Sequence, residues 1–376
     1  MLMQPGDQFQ IYLEIMVSRL GMKVTTPWFA FHFALGSNSL RQNPGFSTSP
    51  YLHIKSVYNN RMNKRDAVLS LLDENQTPEY TPAAFFLHFG EPYQRGQAAI
   101  DRHLEYFRHT GMDFVKIQYE NPFPYLPWLL KPEDWANMPC YGLDFYAEPL
   151  KVVEGLVKAA KSEALVVLTL YSPFMFAGQT AGDELVTRHI AENPDAVARG
   201  MQVITDSLLL FVKECARLGL DGFYTSTQGG EAGRLPERAL FDQCIRPFDL
   251  ALMEEANRTC RFNILHVCDY RLPYADLSPY VDYPGQVVSA GLELTTGRLS
   301  SAEVARQFGR PFMGGLDRLA VLARGTPAQA RRAAETALST APARFILGAD
   351  CTVPADTSWD NLREAVSAAH AHQPVA

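Results

Sequence analysis

The sequence predicts a (β/α)8 barrel. Three observations lead there: short apolar, β-rich runs alternate with longer amphipathic stretches from residue 81 onward, the alternation repeats eight times, and polar side chains collect where the runs end. Alternation of this kind requires parallel strands, because each crossover must return the chain to the same edge of the sheet. Eight repeats over about 290 residues are then expected to close as one barrel. An open, doubly wound sheet is the competing fold, and the lack of a GxGxxG or Walker-type loop after the first run counts against it.

The expected strands are 84–90 within AAFFLHFG, 112–119 (MDFVKIQY), 164–172 (ALVVLTLYS) and 220–227 (LDGFYTST). They continue with 262–269 (FNILHVCD), 286–293 (QVVSAGLE), 311–317 (PFMGGLD) and 344–351 (RFILGADC). Between them lie helix-compatible stretches such as AIDRHLEYFRHTG, LKVVEGLVKAAKSE, ITDSLLLFVKECARLG and TPAQARRAAETALSTAP. Ahead of the first run, MNKRDAVLSLLDE begins abruptly at Met62 with Ala67, Val68, Leu69, Leu71 and Leu72 on a helical face. Residues 1–61 show neither sustained helical period nor clean alternation. The expected organisation is therefore an N-terminal extension, 1–61, that is not native if Met62 is the natural start, and a single barrel domain over 62–376.

Composition narrows the function classes. The 376 residues are 47% hydrophobic and 20% charged, the balance of a globular protein with a sizeable core. A net charge of −7 offers no overall basic surface for nucleic acid or an anionic membrane, and no apolar run reaches the roughly 20 residues of a membrane helix. Six cysteines spread over more than 200 residues are not a disulfide framework, and the N-terminus lacks signal-peptide features. A cytoplasmic protein with reduced thiols is expected.

In a barrel, active-site residues sit at the C-terminal ends of strands and in the loops just after them. His266 and Cys268 end the fifth run, Glu293 the sixth, Asp317 the seventh and Cys351 the eighth. Tyr224 and Gln228 flank the end of the fourth, and Lys116 and Gln118 the end of the second. Residues i and i+2 of a strand share a face, so His266 and Cys268 can project together into the barrel mouth. Imidazole and thiolate are favoured zinc ligands, and Cys351 is placed to join them from another strand end. Three protein ligands leave a fourth position for Glu293, water or substrate, the arrangement of a catalytic zinc. The competing reading is a buried histidine beside buried thiols. Cys140, Cys215, Cys244 and Cys260 are expected to be inert.

From Met62 onward the chain resembles the uroporphyrinogen decarboxylase superfamily. The matching pieces are MNKRDAVLSLL, GMDFVKI, GLDGFY, GGLDR and, most specifically, FILGADCTVPADTSWDNLREAV. Within that superfamily, H-x-C with a distant cysteine resembles the zinc-dependent methyltransferases that move a methyl group between a corrinoid protein and coenzyme M. The resemblance implies His266, Cys268 and Cys351 as zinc ligands, with Glu293 at an acidic-ligand position by a looser alignment. From their places at the strand ends, Glu293, Asp317 and Tyr224 are expected in catalysis, and Lys116, Gln118 and Gln228 at the cofactor. Asp317 serves either to support a ligand or to form a salt bridge with a neighbouring arginine. Tyr119, Phe123, Tyr125, Tyr171, Phe174 and Tyr224 are the aromatic residues expected near the corrinoid or in ordinary packing. The implied cofactors are Zn2+ and a corrinoid as methyl donor or acceptor. The implied partners are a small thiol or other methyl acceptor and a corrinoid-carrying protein.

The decarboxylase branch fits worse. Its members resemble one another in an RQAGRY-type loop after the first strand and a Gly-His-Gly near the last, where this chain reads LHFGEPYQRGQ and LGADCTV. The alternatives to a methyltransferase are thus a decarboxylase-like tetrapyrrole enzyme, or a barrel that binds a corrinoid without catalysis.

Overall fold

The computed structural model describes residues 63–374, so the expected extension at 1–61 lies outside the described residues. The strands are β1 (Phe114–Ile117), β2 (Leu165–Tyr171), β3 (Gly222–Thr227), β4 (Ile264–Val267), β5 (Val287–Ala290), the two-residue β6 (Glu293–Leu294) and β7 (Gly297–Arg298), β8 (Phe312–Leu316) and β9 (Phe345–Ala349). Seven of them form one sheet in the order β1-β2-β3-β4-β5-β8-β9, with every neighbouring pair parallel. Nearly every residue in these seven is buried, as expected where helices cover a parallel sheet and its other face is turned inward. That double burial is why the strands read as continuous apolar runs rather than alternating ones.

The run at 84–90, expected as the first strand, closes the barrel without forming a regular ladder. Ala83 makes an isolated parallel bridge with Leu347 of β9. The Ala84 amide donates to the Leu347 carbonyl (3.0 Å), the Leu347 amide to the Pro82 carbonyl (2.8 Å), and the Asp113 amide to the Ala83 carbonyl (2.9 Å). The segment thereby touches both free edges of the sheet. Its next carbonyls are taken by other groups: Phe85 by the Tyr106 hydroxyl, Phe86 by the Val353 amide and Leu87 by the Gln118 amide nitrogen. With its acceptors so committed, the segment has no ladder to extend.

Helices fill the crossovers, and local chemistry fixes their starts. Ser300 and Glu303 form a reciprocal capping box before the helix Ser301–Phe308, and Thr326 with Gln329 does the same before Pro327–Leu338. Among the described residues no helix is long and apolar enough to cross a membrane.

The N-terminal ends of the strands are closed by paired polar groups. Asp221, just before β3, accepts two 2.7 Å bonds from Arg65 and a third from the Val166 amide (3.0 Å). Asp113, just before β1, accepts from the Ala83 amide, from Tyr80 and from His370 at 2.7–2.8 Å. Asn263, just before β4, accepts from the Phe223 amide (2.9 Å). These bonds tie strands to neighbouring strands and to helices, and leave the chemistry to the opposite end.

Candidate metal centre

β4 carries His266 on the inner face of the sheet, and the strand register sets it between Ser226 of β3 and Ser289 of β5. Cys268 follows two residues later on the same side. Cys351 stands just beyond β9, across the mouth. The structure brings all three together: one ligand atom from each lies within 4.8 Å of the others. The His266 Nε2 is 3.4 Å from the Cys351 Sγ, and the two sulfurs are 3.9 Å apart. All three residues are buried, and His266 Nδ1 has no hydrogen-bond partner among the described residues. The thiols behave as a pair. A hydrogen bond from Cys268, then the nearby His266 and Arg318, hold the Cys351 thiol well below its usual range, and the same bond pushes Cys268 up. A nitrogen and two sulfurs converging this tightly suit a zinc ion, so the residues present fit that group.

Behind the cluster the barrel interior is packed with polar groups that the mouth does not expose. The Tyr224 ring stacks on His266 (centroids 4.8 Å apart, planes 29°), and its hydroxyl meets Ser289 Oγ at 3.4 Å. Burial raises the Tyr224 pKa well above its usual value, so the hydroxyl stays protonated. Lys116 reaches inward from β1, its Nζ 4.4 Å from the Phe86 ring centroid and 4.6 Å from that of Tyr224. It donates to Gln118 Oε1 (3.0 Å), which also accepts from Thr169 (3.0 Å). Burial depresses the Lys116 amine to about 7, against the opposing pull of Cys351 and Glu120.

In front of the cluster is a cavity of about 540 Å³ lined by Cys268, Cys351, Gln228, Tyr171, Met175 and Arg318, among others. Gln228 Nε2 donates to Cys268 Sγ at 3.7 Å. Arg318 is held between two carboxylates, Asp269 (3.3 Å) and Asp350 (3.4 Å), which are the chain neighbours of Cys268 and Cys351. Asp350 Oδ1 also accepts from the amides of Arg318 and Cys351, both at 2.9 Å. Burial raises both carboxyls, Asp350 to about 6. This clamp ties β4, β8 and β9 together beside the two cysteines of the cluster. Its sequence signal is an acidic residue beside each of the two cysteines and an arginine after GGLD, and neither pattern stands out without the fold.

Two expected site residues are not brought to the cluster. Glu293 does not end a barrel strand: β5 stops at Ala290, and Glu293 pairs with Arg298 in the antiparallel β6–β7 ribbon, at 2.6 Å with both side chains about two-thirds exposed. The chain leaves the sheet at Gly291, where a Cβ would stand 2.2 Å from Asp269 Oδ2; the bare glycine gives the clamp carboxylate its room. Asp317 is exposed and closes its own turn, accepting from the amides of Leu319 and Ala320. Its arginine neighbour belongs to Asp269 and Asp350 instead. Lys116, Gln118 and Tyr224 lie behind the cluster and do not line the cavity, whereas Gln228 does. Of the expected aromatics, Tyr171 lines the cavity, Tyr119, Phe123 and Phe174 pack in the core, and Tyr125 is exposed.

Comparison with known proteins bears on the whole of this arrangement. A solved structure of a methyltransferase from Methanosarcina mazei shares the fold, with a TM-score of 0.63 at 13% identity over 82% of this chain and 98% of that one. A B12-independent methionine synthase from a Shewanella species aligns with a TM-score of 0.49 at 11% identity, covering 78% of this chain and 97% of the other. No curated protein sequence matches the chain. Residues 108–372, which carry the sheet, all three cluster residues and the Arg318 clamp, match the model of the uroporphyrinogen decarboxylase (URO-D) family, and the chain belongs to that family.

Proposed function

We propose that this protein is a zinc-dependent methyltransferase that moves a methyl group between a corrinoid and a thiol. The observation that carries the reading is the set of His266, Cys268 and Cys351 donor atoms within 4.8 Å of one another, at the floor of a cavity of about 540 Å³. Such a donor set with one side open is the pattern of a catalytic zinc. The activity named for the Methanosarcina mazei structure is carried to this chain as part of the proposal.

When bound, zinc would acidify a thiol entering the open side of the cluster, raising the population of the nucleophilic thiolate. The chain supplies the remaining conditions. Tyr224 holds the His266 ring by stacking, and Gln228 donates toward Cys268. The Arg318 clamp fixes the backbone that carries both cysteines. A methylated corrinoid would supply the methyl group: an S–CH3 bond would form at the thiolate as the corrinoid's bond to methyl broke, the bonding pair staying with the corrinoid. The partners would be a small thiol and a corrinoid, free or carried by a second protein that meets the barrel mouth. A cytoplasmic setting agrees with six free cysteines.

Metal analysis of the purified protein tests the reading first. About one zinc per chain is expected, falling to below about a tenth in Cys268→Ala. Zinc below about half an equivalent, and unchanged in that variant, would sink it. Incubation with methylcobalamin and a series of small thiols then separates catalysis from binding: formation of Co(I) or Co(II) spectra supports transfer, and unchanged spectra across the series point to a corrinoid-binding barrel.

A further inference from the structure

Around the candidate site nearly every cation has an acidic partner. Arg318 lies between Asp269 and Asp350, Arg271 faces Asp183 at 3.5 Å, and His88 meets Glu120 at 2.7 Å. Lys116 is the exception: it is 4% exposed, has no carboxylate within salt-bridge distance among the described residues, and keeps one polar bond, to Gln118. Its ammonium position lies between the faces of Phe86 and Tyr224, and Tyr224 in turn stacks on His266. A buried lysine without an acidic partner is unfavourable when charged and shifts its protonation instead. The titratable groups facing it are Cys351 beyond β9, Cys268 beyond β4, Glu120 beyond β1, His103 on the helix Gly96–Thr110 and Tyr224 on β3.

The charge balance at the cluster gives this lysine a task. A divalent ion with two cysteine thiolates and a neutral imidazole sums to zero, so an incoming thiolate adds one uncompensated negative charge in a buried site. We infer that Lys116 is the counter-charge for that thiolate, gaining a proton at Nζ as the substrate sulfur loses one. The two protons balance, exchanging through solvent, and the floor of the site keeps its net charge. This rests on the proposed function and adds a charge-balancing residue behind the metal ligands. Burial without a carboxylate partner favours the uncharged amine, its pKa lowered to about 7 in the metal-free chain. The added thiolate raises its pKa, so above that pH thiol binding releases no net proton. Below it the amine is already charged, and binding releases one.

Cobalt(II) substituted for zinc makes the test spectroscopic, because thiolate coordination produces a charge-transfer band. The Kd for 2-mercaptoethanol is measured from that band between about pH 7.5 and 8.5, in the wild type and in Lys116→Met. The wild-type Kd is expected to change by less than about twofold, while that of Lys116→Met falls about tenfold over the same interval, as one released proton requires. A wild-type Kd that falls tenfold overturns the inference, and the wild type alone decides this if the variant does not fold. A flat profile in both proteins overturns the assignment to Lys116. A wild type that takes up no cobalt overturns the metal reading, and the inference with it.

Discussion

The two ends of the barrel are built from the same strands and treat buried polar groups in opposite ways. At the N-terminal ends Asp113 and Asp221 accept three hydrogen bonds each, and Arg65, Tyr80 and His370 are bonded in return. At the C-terminal ends, among the described residues, His266 Nδ1 has no partner, two thiols face each other at 3.9 Å, and Lys116 sits buried without a carboxylate in salt-bridge reach. A buried group whose valences are all used can hold the fold together and bind nothing else. A group left incomplete weakens the fold and can accept a ligand. Sites that bind or react are expected at the incomplete end, and that is where the donor set stands.

The sharpest way to break this contrast is to cut one group at each end. Cys351→Ser should lower zinc affinity on the order of a thousandfold or more, while chemical denaturation of the metal-free protein changes by less than about 1 kcal/mol. Asp221→Ala should do the reverse. Removing one partner of a buried pair destabilises by about 3–5 kcal/mol in urea titrations, with one zinc retained per folded chain. Equal stability losses in the two variants would erase the distinction between the ends.

A smaller effect concerns acid. His103 is buried, accepts from the Gln118 amide at Nε2 and faces the Ala99 carbonyl through Nδ1, so it is held as the neutral ring. Burial depresses its pKa from 6.5 to about 4. The unfolded chain therefore takes up a proton that the folded one refuses. Stability from this group is complete above pH 6.5 and is lost as pH falls toward 4, by roughly 3 kcal/mol. Urea midpoints for His103→Gln should lack that part of the decline.

Smaller still, Arg318→Met should weaken zinc binding by about 10–100-fold, because the clamp fixes the backbone at both cysteines without itself donating to a metal. Competition with a chromogenic chelator measures it. Glu293→Gln should have the least effect, within about 0.5 kcal/mol in stability and about twofold in zinc affinity, since the residue is an exposed partner of Arg298. A large loss of zinc in that variant would return Glu293 to the ligand set.

The spacing of residues was enough to read the strand–helix alternation, the parallel sheet and the pairing of His266 with Cys268, because a strand repeats its facing every two residues and apolar burial follows that repeat. It was not enough for Glu293 or Asp317. Both follow a strand in sequence, but where a loop goes after a strand depends on what packs against it: Glu293 runs on into the β6–β7 ribbon and Asp317 closes its own turn. The Arg318 clamp was hidden for the complementary reason: Asp269, Arg318 and Asp350 come from three separate loops. The first expected strand failed as a ladder because its carbonyls were claimed by Tyr106, Val353 and Gln118, none of them its sequence neighbours.

By itself, then, the sequence determined the element types and the chemical nature of the donors, imidazole and thiol, since those are properties of residues and of local periodicity. Tertiary structure alone decided which donors meet. Cys351 stands 83 positions beyond Cys268, and only the return of the last strand beside the first segment carries it across the mouth to within 3.9 Å. Tertiary structure also decided that Lys116 has no acidic partner among the described residues, because such an absence is a property of everything packed around a side chain.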